Sequence, residues 1–169
     1  MSMNTGTMAK DLTGVQSSNT QEYLIFVLDN EAYGLDILKV QEIRGYGTVT
    51  KIANTPEFIK GVINLRGLIV PIVDLRIKFN MGSIIYNEFT VVIILNVSNR
   101  IIGMVVDGVT DVIIIDAEQI KSVPDIVASI DTKYITGLAT VDEKMFILID
   151  IEQLMSSQEM ALVDVASTH

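Results

Sequence analysis

Short apolar runs separated by polar pairs recur along the chain. Residues 23–37 and 90–106 each contain two such runs, divided by a polar pair at 29–30 or at 98–99. Asp, Asn and Ser tolerate the backbone conformations of tight turns, and the flanking runs are rich in Ile, Val and Tyr. The pattern therefore predicts two β-hairpins.

Two further turn pairs, 66–67 and 142–143, each precede an apolar run that ends at an aspartate. We predict a hairpin at each pair, with the second strand ending at Asp74 or Asp150. A carboxylate at that place can accept the free N–H groups of a first helical turn. Asp150 is the better cap because Gln153 follows three residues later.

Besides the helical turn expected after Asp74, helices are predicted over two segments. Residues 151–166 carry apolar side chains at an imperfect helical spacing, which indicates an amphipathic C-terminal helix. Residues 56–60 begin with Pro and predict a shorter helix. Residues 1–20 lack an apolar period and are expected to form a flexible tail. The folded domain should span 21–155, and 156–169 should hold the rest of the helix and a tail.

The two halves of the domain share a spacing of glycine, apolar and acidic positions. The corresponding positions are Gly34 and Gly103, Ile37 and Val106, Val40 and Val109, Glu42 and Asp111, Gly61 and Gly137, and Asp74 and Asp150. This spacing favours two related β modules, approximately 21–88 and 89–155, with exchange of strands between them left open. The alternative is that any two β segments alternate in a similar way. A duplication would place an interface, and a groove, between the modules.

Charge and composition narrow the kinds of partner. Twelve basic and 21 acidic residues give a net charge of −9, which disfavours binding to nucleic acid or to anionic membranes. No apolar run approaches the roughly 20 residues that cross a bilayer, so we expect no direct membrane insertion. The chain contains no cysteine, which suits a reducing compartment. A soluble, cytoplasmic protein that binds other proteins is expected.

The residues of most catalytic sites are missing from the sequence. The only histidine is His169, and with no cysteine this excludes thiol nucleophiles, Ser-His-Asp triads and Cys/His zinc sites. No phosphate-binding glycine motif is present. Asp107 and Asp111 could form a carboxylate pair, but turn and strand-edge roles are favoured for both. We therefore expect no enzyme activity, no cofactor and no metal.

Long segments resemble the CheW family of chemotaxis coupling proteins. They are GLDILKVQEIRGY at 34–46, IANTPEFIKGVINLRGLIVPIVDLRIKF at 52–79, VVIILN at 91–96, GMVVDGVTDV at 103–112, AEQI at 117–120 and YITGL at 134–138. The resemblance covers nearly everything after the first 20 residues. It implies a mainly β fold in which two five-stranded, SH3-like β-barrel subdomains pack together, with short helices and a C-terminal helix.

The family resemblance also implies a function without catalysis. Such a protein couples the cytoplasmic tip of chemoreceptors to the regulatory domain of the histidine kinase CheA within signalling arrays, and other copies of itself are a further expected partner. The resemblance assigns a receptor-binding groove to Ile37, Val40, Glu42, Gly61, Arg66 and Gly103. A core position is the favoured alternative for Ile37 and Val40, and turn geometry is an alternative for Arg66.

The family's kinase or ring contacts correspond to Lys121, Asp125 and Ile126. An ordinary surface loop is the alternative for these three residues. Three other classes of protein are alternatives: the same domain at the regulatory end of the kinase or fused to a receiver, a small β-barrel enzyme that uses carboxylates, and a nucleic-acid-binding small barrel. The last should show a basic, aromatic-lined face, which the charge balance disfavours.

Overall fold

A computed structural model describes residues 19–82, 84–123 and 130–156. In this part of the chain eleven strands and two short helices alternate with three single 3-10 turns. The strands are β1 (Thr20–Leu28), β2 (Glu31–Asp36), β3 (Val40–Gly45), β4 (Ile59–Leu65), β5 (Leu68–Asp74), β6 (Val91–Val97), β7 (Arg100–Val106), β8 (Gly108–Asp116), β9 (Ile120–Lys121), β10 (Ile135–Val141) and β11 (Lys144–Ile149). The helices are α1 (Leu75–Lys78) and α2 (Ile151–Ser156). The fold is therefore mainly β, as predicted.

All four predicted hairpins are present, and their turns share one backbone geometry. Both central residues of the β1–β2, β4–β5, β6–β7 and β10–β11 turns have positive φ, between 50° and 90°. Two consecutive positive φ values define the type I′ turn, whose twist matches that of paired strands. Asp, Asn or Gly occupies most of these positions. These residues adopt positive φ more readily than others, which explains why the sequence predicts the turns.

The predicted helix starts have different outcomes. Asp74 accepts a hydrogen bond from the backbone N–H of Arg76 at 3.0 Å, and Asp150 accepts one from Gln153 at 3.1 Å, so both predicted caps are confirmed. The helix predicted over 56–60 is wrong: the segment makes one turn, and β4 already starts at Ile59 because that residue pairs with Val73. The tail expected over 1–20 is one residue too long, because Thr20 already belongs to β1, whereas residues 1–18 and the helix expected beyond residue 156 lie outside the described residues.

The strands form two sheets, and each sequence module contributes strands to both. The six-stranded sheet has the order β8-β1-β2-β11-β10-β9, and the five-stranded sheet has the order β3-β6-β7-β5-β4. The five-stranded sheet has the number of strands expected for a subdomain, whereas the six-stranded sheet has one more, the two-residue strand β9. In each sheet the first hairpin of one module lies between strands of the other module. Exchange of hairpins thus joins the two halves of the chain.

Equivalent irregularities favour a true duplication over chance alternation. β3 bulges between Val40 and Glu42 where it pairs with β6, and β8 bulges between Val109 and Asp111 where it pairs with β1. A second bulge precedes Gly61 in β4, and its counterpart precedes Gly137 in β10. Alternating apolar residues alone do not dictate where a bulge falls. The bulges fall at corresponding positions of the two halves, as related modules would have them, and the duplication itself stays a prediction.

Apolar side chains form one large core and two smaller ones. The large core contains buried residues from both sheets and from both helices, so it holds the two sheets together. One smaller core lies within the five-stranded sheet around Ile72 and Ile94, and the other within the six-stranded sheet around Ile25 and Leu148. Each sheet thus buries apolar side chains on both of its faces.

The chain passes between the sheets at two points, and an ion pair holds each passage to a helix. The first passage is the 3-10 turn Ile37–Lys39, where Lys39 Nζ lies 2.8 Å from Glu152 Oε2 on α2. The second is at Asp107, whose Oδ1 lies 2.7 Å from Arg76 Nη1 on α1. The second pair is far more buried, because the Arg76 side chain is only 2% exposed. On the helix side, Arg76 and Glu152 each lie two residues after a capping aspartate, and the signs of the charges are reversed between the two contacts.

The Lys39–Glu152 pair should contribute only modestly to stability. Hydrogen bonds from Lys39 and Ser98 lower the pKa of Glu152. Its contribution is therefore present above the ordinary glutamate pKa of about 4.3 and is lost as the pH falls through the lower folded-state value. Glu152→Gln is expected to lower the melting temperature by about 1–3 °C at pH 7 and low salt.

Thermal unfolding of Glu152→Gln and the parent chain, followed by circular dichroism, checks this expectation. The difference should shrink in 1 M NaCl, because both side chains are about one-third exposed and salt screens them. It should also shrink below pH 4. A difference that persists under both conditions would contradict an electrostatic origin.

Candidate functional site

The two ends of the five-stranded sheet meet at one ion pair. Glu42 lies on β3 and Arg66 lies in the β4–β5 turn, at opposite ends of the strand order. Even so, Arg66 Nη2 lies 2.5 Å from Glu42 Oε1. The sheet must therefore curl until its first and last strands approach each other, as strands do in a barrel. We call this contact the Glu42–Arg66 edge.

The edge is charged and accessible to a partner. The Arg66 side chain is 67% exposed and that of Glu42 is 30% exposed. The hydrogen bond from Arg66 lowers the pKa of Glu42, and the same bond raises the pKa of Arg66. Both groups are therefore ionised near neutral pH. Asn64 Oδ1 accepts a hydrogen bond from the Gly67 N–H at 2.8 Å, which holds the turn that presents Arg66.

Exposed apolar side chains flank the edge along both strands. Ile43 follows Glu42 and is 42% exposed, while Leu68 and Ile69 follow the Arg66 turn and are 47% and 36% exposed. Apolar groups beside a charged pair are typical of protein contact surfaces. Sequence reasoning missed these three residues. Leu68 and Ile69 belong to an uninterrupted apolar run from Leu68 to Val73, and such a run does not show which of its residues stay exposed.

Ile37 and Val40 lie at the first passage between the sheets. Both are half-buried and pack against the large core. This agrees with the alternative of a core position, although the exposed part of each side chain could still lie at the rim of the predicted groove. Leu38 lies between them and is 84% exposed. Asp36 Oδ1 accepts a hydrogen bond from the Leu38 N–H at 2.9 Å and so fixes the turn that directs Leu38 outward. Leu38 is a candidate contact that sequence reasoning did not single out.

Gly61 and Gly103 are buried, with backbone atoms close to Gly61 and side chains close to Gly103. Paired residues across the sheet run in the order Glu42, Ile94, Gly103, Ile72 and Gly61. A Cβ on Gly103 would lie 2.5 Å from Ile72 Cδ1, and a Cβ on Gly61 would lie 2.1 Å from Thr50 O. Both glycines therefore allow close packing within the same sheet as Glu42. Their role in receptor contact stays a prediction.

The three residues of the second predicted contact are only partly described. Lys121 is exposed on β9, where it pairs with Leu138. Asp125 and Ile126 lie outside the described residues. Lys121 belongs to the six-stranded sheet, so this one residue and the Glu42–Arg66 edge fall on different subdomains.

Asp107 and Asp111, the two aspartates that could form a carboxylate pair by sequence, have different surroundings in the structure. Asp107 accepts hydrogen bonds from Arg76 and from the Asp29 N–H, at 2.7 and 2.8 Å. Asp111 is exposed on β8. Within the described residues no group of three or more His, Cys, Asp or Glu side chains could hold a metal ion. The same part of the chain holds no helix long and apolar enough to cross a membrane.

Comparisons with known proteins identify the architecture. Residues 22–159 match the model of the CheW-like domain. The chain is 61% identical over 150 residues to the chemotaxis protein CheW of Klebsiella aerogenes, covering 88% of this chain and 90% of that protein. It is 32% identical to the chemotaxis protein CheW of Treponema pallidum, covering 82% and 84%. The crystal structure of the scaffolding protein TtCheW from Thermoanaerobacter tengcongensis aligns with a TM-score of 0.74 at 39% identity, covering 82% of this chain and 90% of that one.

These matches extend over most of each protein compared, and the family-model match includes the strand that carries Glu42 and the turn that carries Arg66. They agree with the resemblance noted in the sequence and with the two-sheet fold. The chain belongs to the CheW family of chemotaxis scaffold proteins.

Proposed function

We propose that this protein couples chemoreceptors to the histidine kinase CheA within signalling arrays, without catalysing a reaction itself. The observation that carries the proposal is the 61% identity, over nearly the whole chain, to a chemotaxis protein CheW. The receptor's cytoplasmic tip would bind at the Glu42–Arg66 edge, and the kinase's regulatory domain would bind elsewhere. The protein would work in the cytoplasm and reach the membrane only through receptors.

The Glu42–Arg66 edge suits a helical partner. The receptor tip is a helical hairpin by the family resemblance, and an amphipathic helix presents apolar anchors at a regular spacing together with polar groups. Leu38, Ile43 and Leu68 offer exposed apolar surface for such anchors. Arg66 presents a planar group that can bind a carboxylate through two hydrogen bonds, so it would set the register of the helix.

Coupling requires more than simultaneous binding. A change in receptor state alters kinase output only if the contacts differ in free energy between the signalling states. The two passages between the sheets connect the predicted receptor site to the other subdomain. Lys121, Asp125 and Ile126 are proposed as the kinase or ring contact, and additional copies of the protein would extend the ring.

The residue-level proposal predicts a selective loss of receptor binding. Arg66→Ala and Glu42→Lys should each raise the dissociation constant for a receptor cytoplasmic fragment at least about tenfold, because truncating a charged contact residue typically has effects of that size. Kinase binding should change little. Isothermal titration or co-sedimentation with the receptor fragment and with CheA, separately and together, measures both.

Asp142→Ala provides a matched control for Arg66→Ala. Asp142 and Arg66 both begin two-residue hairpin turns and share a φ of 51°, so alanine should disturb the backbone equally at either place. Asp142→Ala should leave receptor binding unchanged. Binding to neither receptor nor kinase by the folded parent chain would refute the coupling function. Equal losses in the two variants would refute only the assigned edge.

A further inference from the structure

Two large apolar side chains stand out from the segment 84–90, which joins α1 to β6. Ile85 is 59% exposed and Phe89 is 68% exposed, although they lie only four residues apart. Neither belongs to the Glu42–Arg66 edge. Two apolar side chains this exposed on one short segment can form part of an interaction surface.

The segment is held in a defined shape rather than left loose. Asn87 Oδ1 accepts a hydrogen bond from the Phe89 N–H at 2.8 Å, and Thr90 Oγ1 accepts one from the Asn87 N–H at 2.9 Å. The carbonyl oxygen of Ile85 accepts a hydrogen bond from Arg76 Nη1 at 2.8 Å. A partner would therefore meet a preformed apolar surface and lose little entropy in ordering it.

The ring of Tyr86 anchors the middle of the segment. It stacks on Tyr46 with ring centroids 4.8 Å apart, and its hydroxyl donates a hydrogen bond to Asp74 Oδ2 at 2.7 Å. The Arg76 guanidinium lies 4.8 Å from the ring centroid. The neighbouring residues Ile85 and Phe89 are thus left on the outside of a fixed loop.

A cavity of about 420 Å³ opens beside Ile85. It is lined by Val27, Asp29, Asn30, Ile85, Asn87 and Asp107. Its walls combine the apolar surface of Val27 and Ile85 with carboxylate and amide groups. Such a lining suits a long side chain whose stem is apolar and whose end is polar.

The charges around this cavity favour a cation. Asp74 and Asp107 share the single guanidinium of Arg76, which leaves one negative charge in excess. Asp29 adds a second carboxylate to the cavity wall. An arginine or lysine from a partner would compensate this charge, whereas an acidic side chain would be repelled.

We propose that Ile85, Phe89 and the adjoining acidic cavity form a docking surface for a protein segment in which a Lys or Arg side chain is flanked by apolar side chains. The cation enters the cavity, and the apolar neighbours cover Ile85 and Phe89. A second copy of the chain fits less well, because a two-fold contact through this surface would bring two acidic cavities together. The proposal is independent of the receptor and kinase interactions.

Synthetic peptides test the proposal directly. The probe is a nine-residue peptide, capped at both ends, with a central Arg between leucines; matched peptides carry citrulline, which lacks the charge, or Glu in place of Arg. Titration of the full isotope-labelled chain by ¹H–¹⁵N NMR reports both affinity and location. Perturbed signals should centre on Asp29, Asn30, Asn87, Phe89 and Gly108, and the Arg peptide should bind at least about threefold more tightly than the citrulline peptide.

Variants separate the apolar part of the surface from the charged part. Phe89→Ser should weaken binding of the Arg peptide about tenfold. Asp29→Asn should weaken it about threefold while leaving the citrulline peptide unaffected, and Asn tolerates the φ of 51° at this position. Met145→Ser is the control, since Met145 is also 59% exposed but lies on β11.

Four results would overturn the proposal. The first is equal binding of the Arg and citrulline peptides, and the second is a set of perturbed signals away from the cavity. The third is concentration-dependent dimerisation, measured by sedimentation, that Phe89→Ser abolishes, since the occupant would then be a second copy. Binding of the Glu peptide as tightly as the Arg peptide would likewise exclude a cationic occupant.

Discussion

Replacing Arg76 with Met is expected to lower the free energy of unfolding by about 3–5 kcal/mol, because the change leaves a buried carboxylate without its counter-charge. Asp74 is fully buried and the Arg76 side chain is only 2% exposed. Arg76 Nε and Nη2 donate hydrogen bonds to the two Asp74 oxygens at 3.0 and 2.8 Å. Met fills a similar volume but offers no donor, so Asp74 would retain only Tyr86 and a backbone N–H.

The protonation equilibria of this cluster support the same reasoning. Burial by itself would lower the pKa of Arg76, but the hydrogen bonds with Asp74 and Asp107 outweigh burial and raise it. Burial and the hydrogen bond to Asp74 raise the pKa of Tyr86. Near neutral pH, Arg76 is therefore charged and Tyr86 is a neutral donor. Removing the one cation leaves two carboxylates without a counter-charge.

Urea unfolding of Arg76→Met, followed by circular dichroism, measures the loss. The double variant Asp74→Asn with Arg76→Met should recover part of the stability at pH 7, because no charge remains buried. A loss below about 1 kcal/mol, or no recovery in the double variant, would contradict the argument.

Local structure was predictable from the sequence because its causes are local. The residues at 29–30, 98–99 and 142–143 favour positive φ or turn conformations, and they sit between apolar runs, so each hairpin is specified within about 15 residues. The same holds for the helix caps at Asp74 and Asp150, where the capping carboxylate and its N–H partner are two or three residues apart. The exception is 56–60, where pairing of Ile59 with Val73 outweighed the preference that Pro56 gives to a helix.

Long-range structure required information that the pattern of residues does not contain. The hairpin β1–β2 lies between β8 and β11, strands that begin more than 70 residues further along the chain. Alternation shows which face of a strand is buried but not which strand covers it. The sequence therefore leaves open whether the modules exchange hairpins, and only the observed pairing of the strands shows that they do.

The candidate site shows the same division. The family resemblance selected Glu42 and Arg66, but the ion pair between their side chains depends on the curvature of the sheet, which no local motif encodes. It also selected Gly61 and Gly103, which have no side chain to offer a partner. The exposed residues Leu38, Ile43 and Leu68 carry no motif and were missed, because exposure depends on which neighbours the fold supplies.

Replacing Gly61 with Ala is expected to lower the free energy of unfolding by about 3–4 kcal/mol, from two separate causes. Its φ of 141° is a conformation that residues with a Cβ rarely adopt. A Cβ would also lie 2.1 Å from Thr50 O, a backbone atom that pairs with Val62 and has little freedom to move. Gly67→Ala is the matched control: its φ is 90°, yet nothing lies within 4 Å of the added Cβ, so a loss of only about 1–2 kcal/mol is expected.

The same variant separates a packing role for Gly61 from a contact role. If Gly61 only permits close packing, Gly61→Ala should lose receptor binding in proportion to the unfolded fraction, and the folded fraction at low temperature should bind within about threefold of the parent chain. Arg66→Ala should behave in the opposite way, with near-normal stability and weak binding, since Arg66 is mostly exposed. Measuring urea unfolding and receptor affinity on both variants distinguishes the two roles. A Gly61→Ala protein of normal stability that binds receptor tenfold more weakly would establish that the backbone at Gly61 forms part of the contact itself.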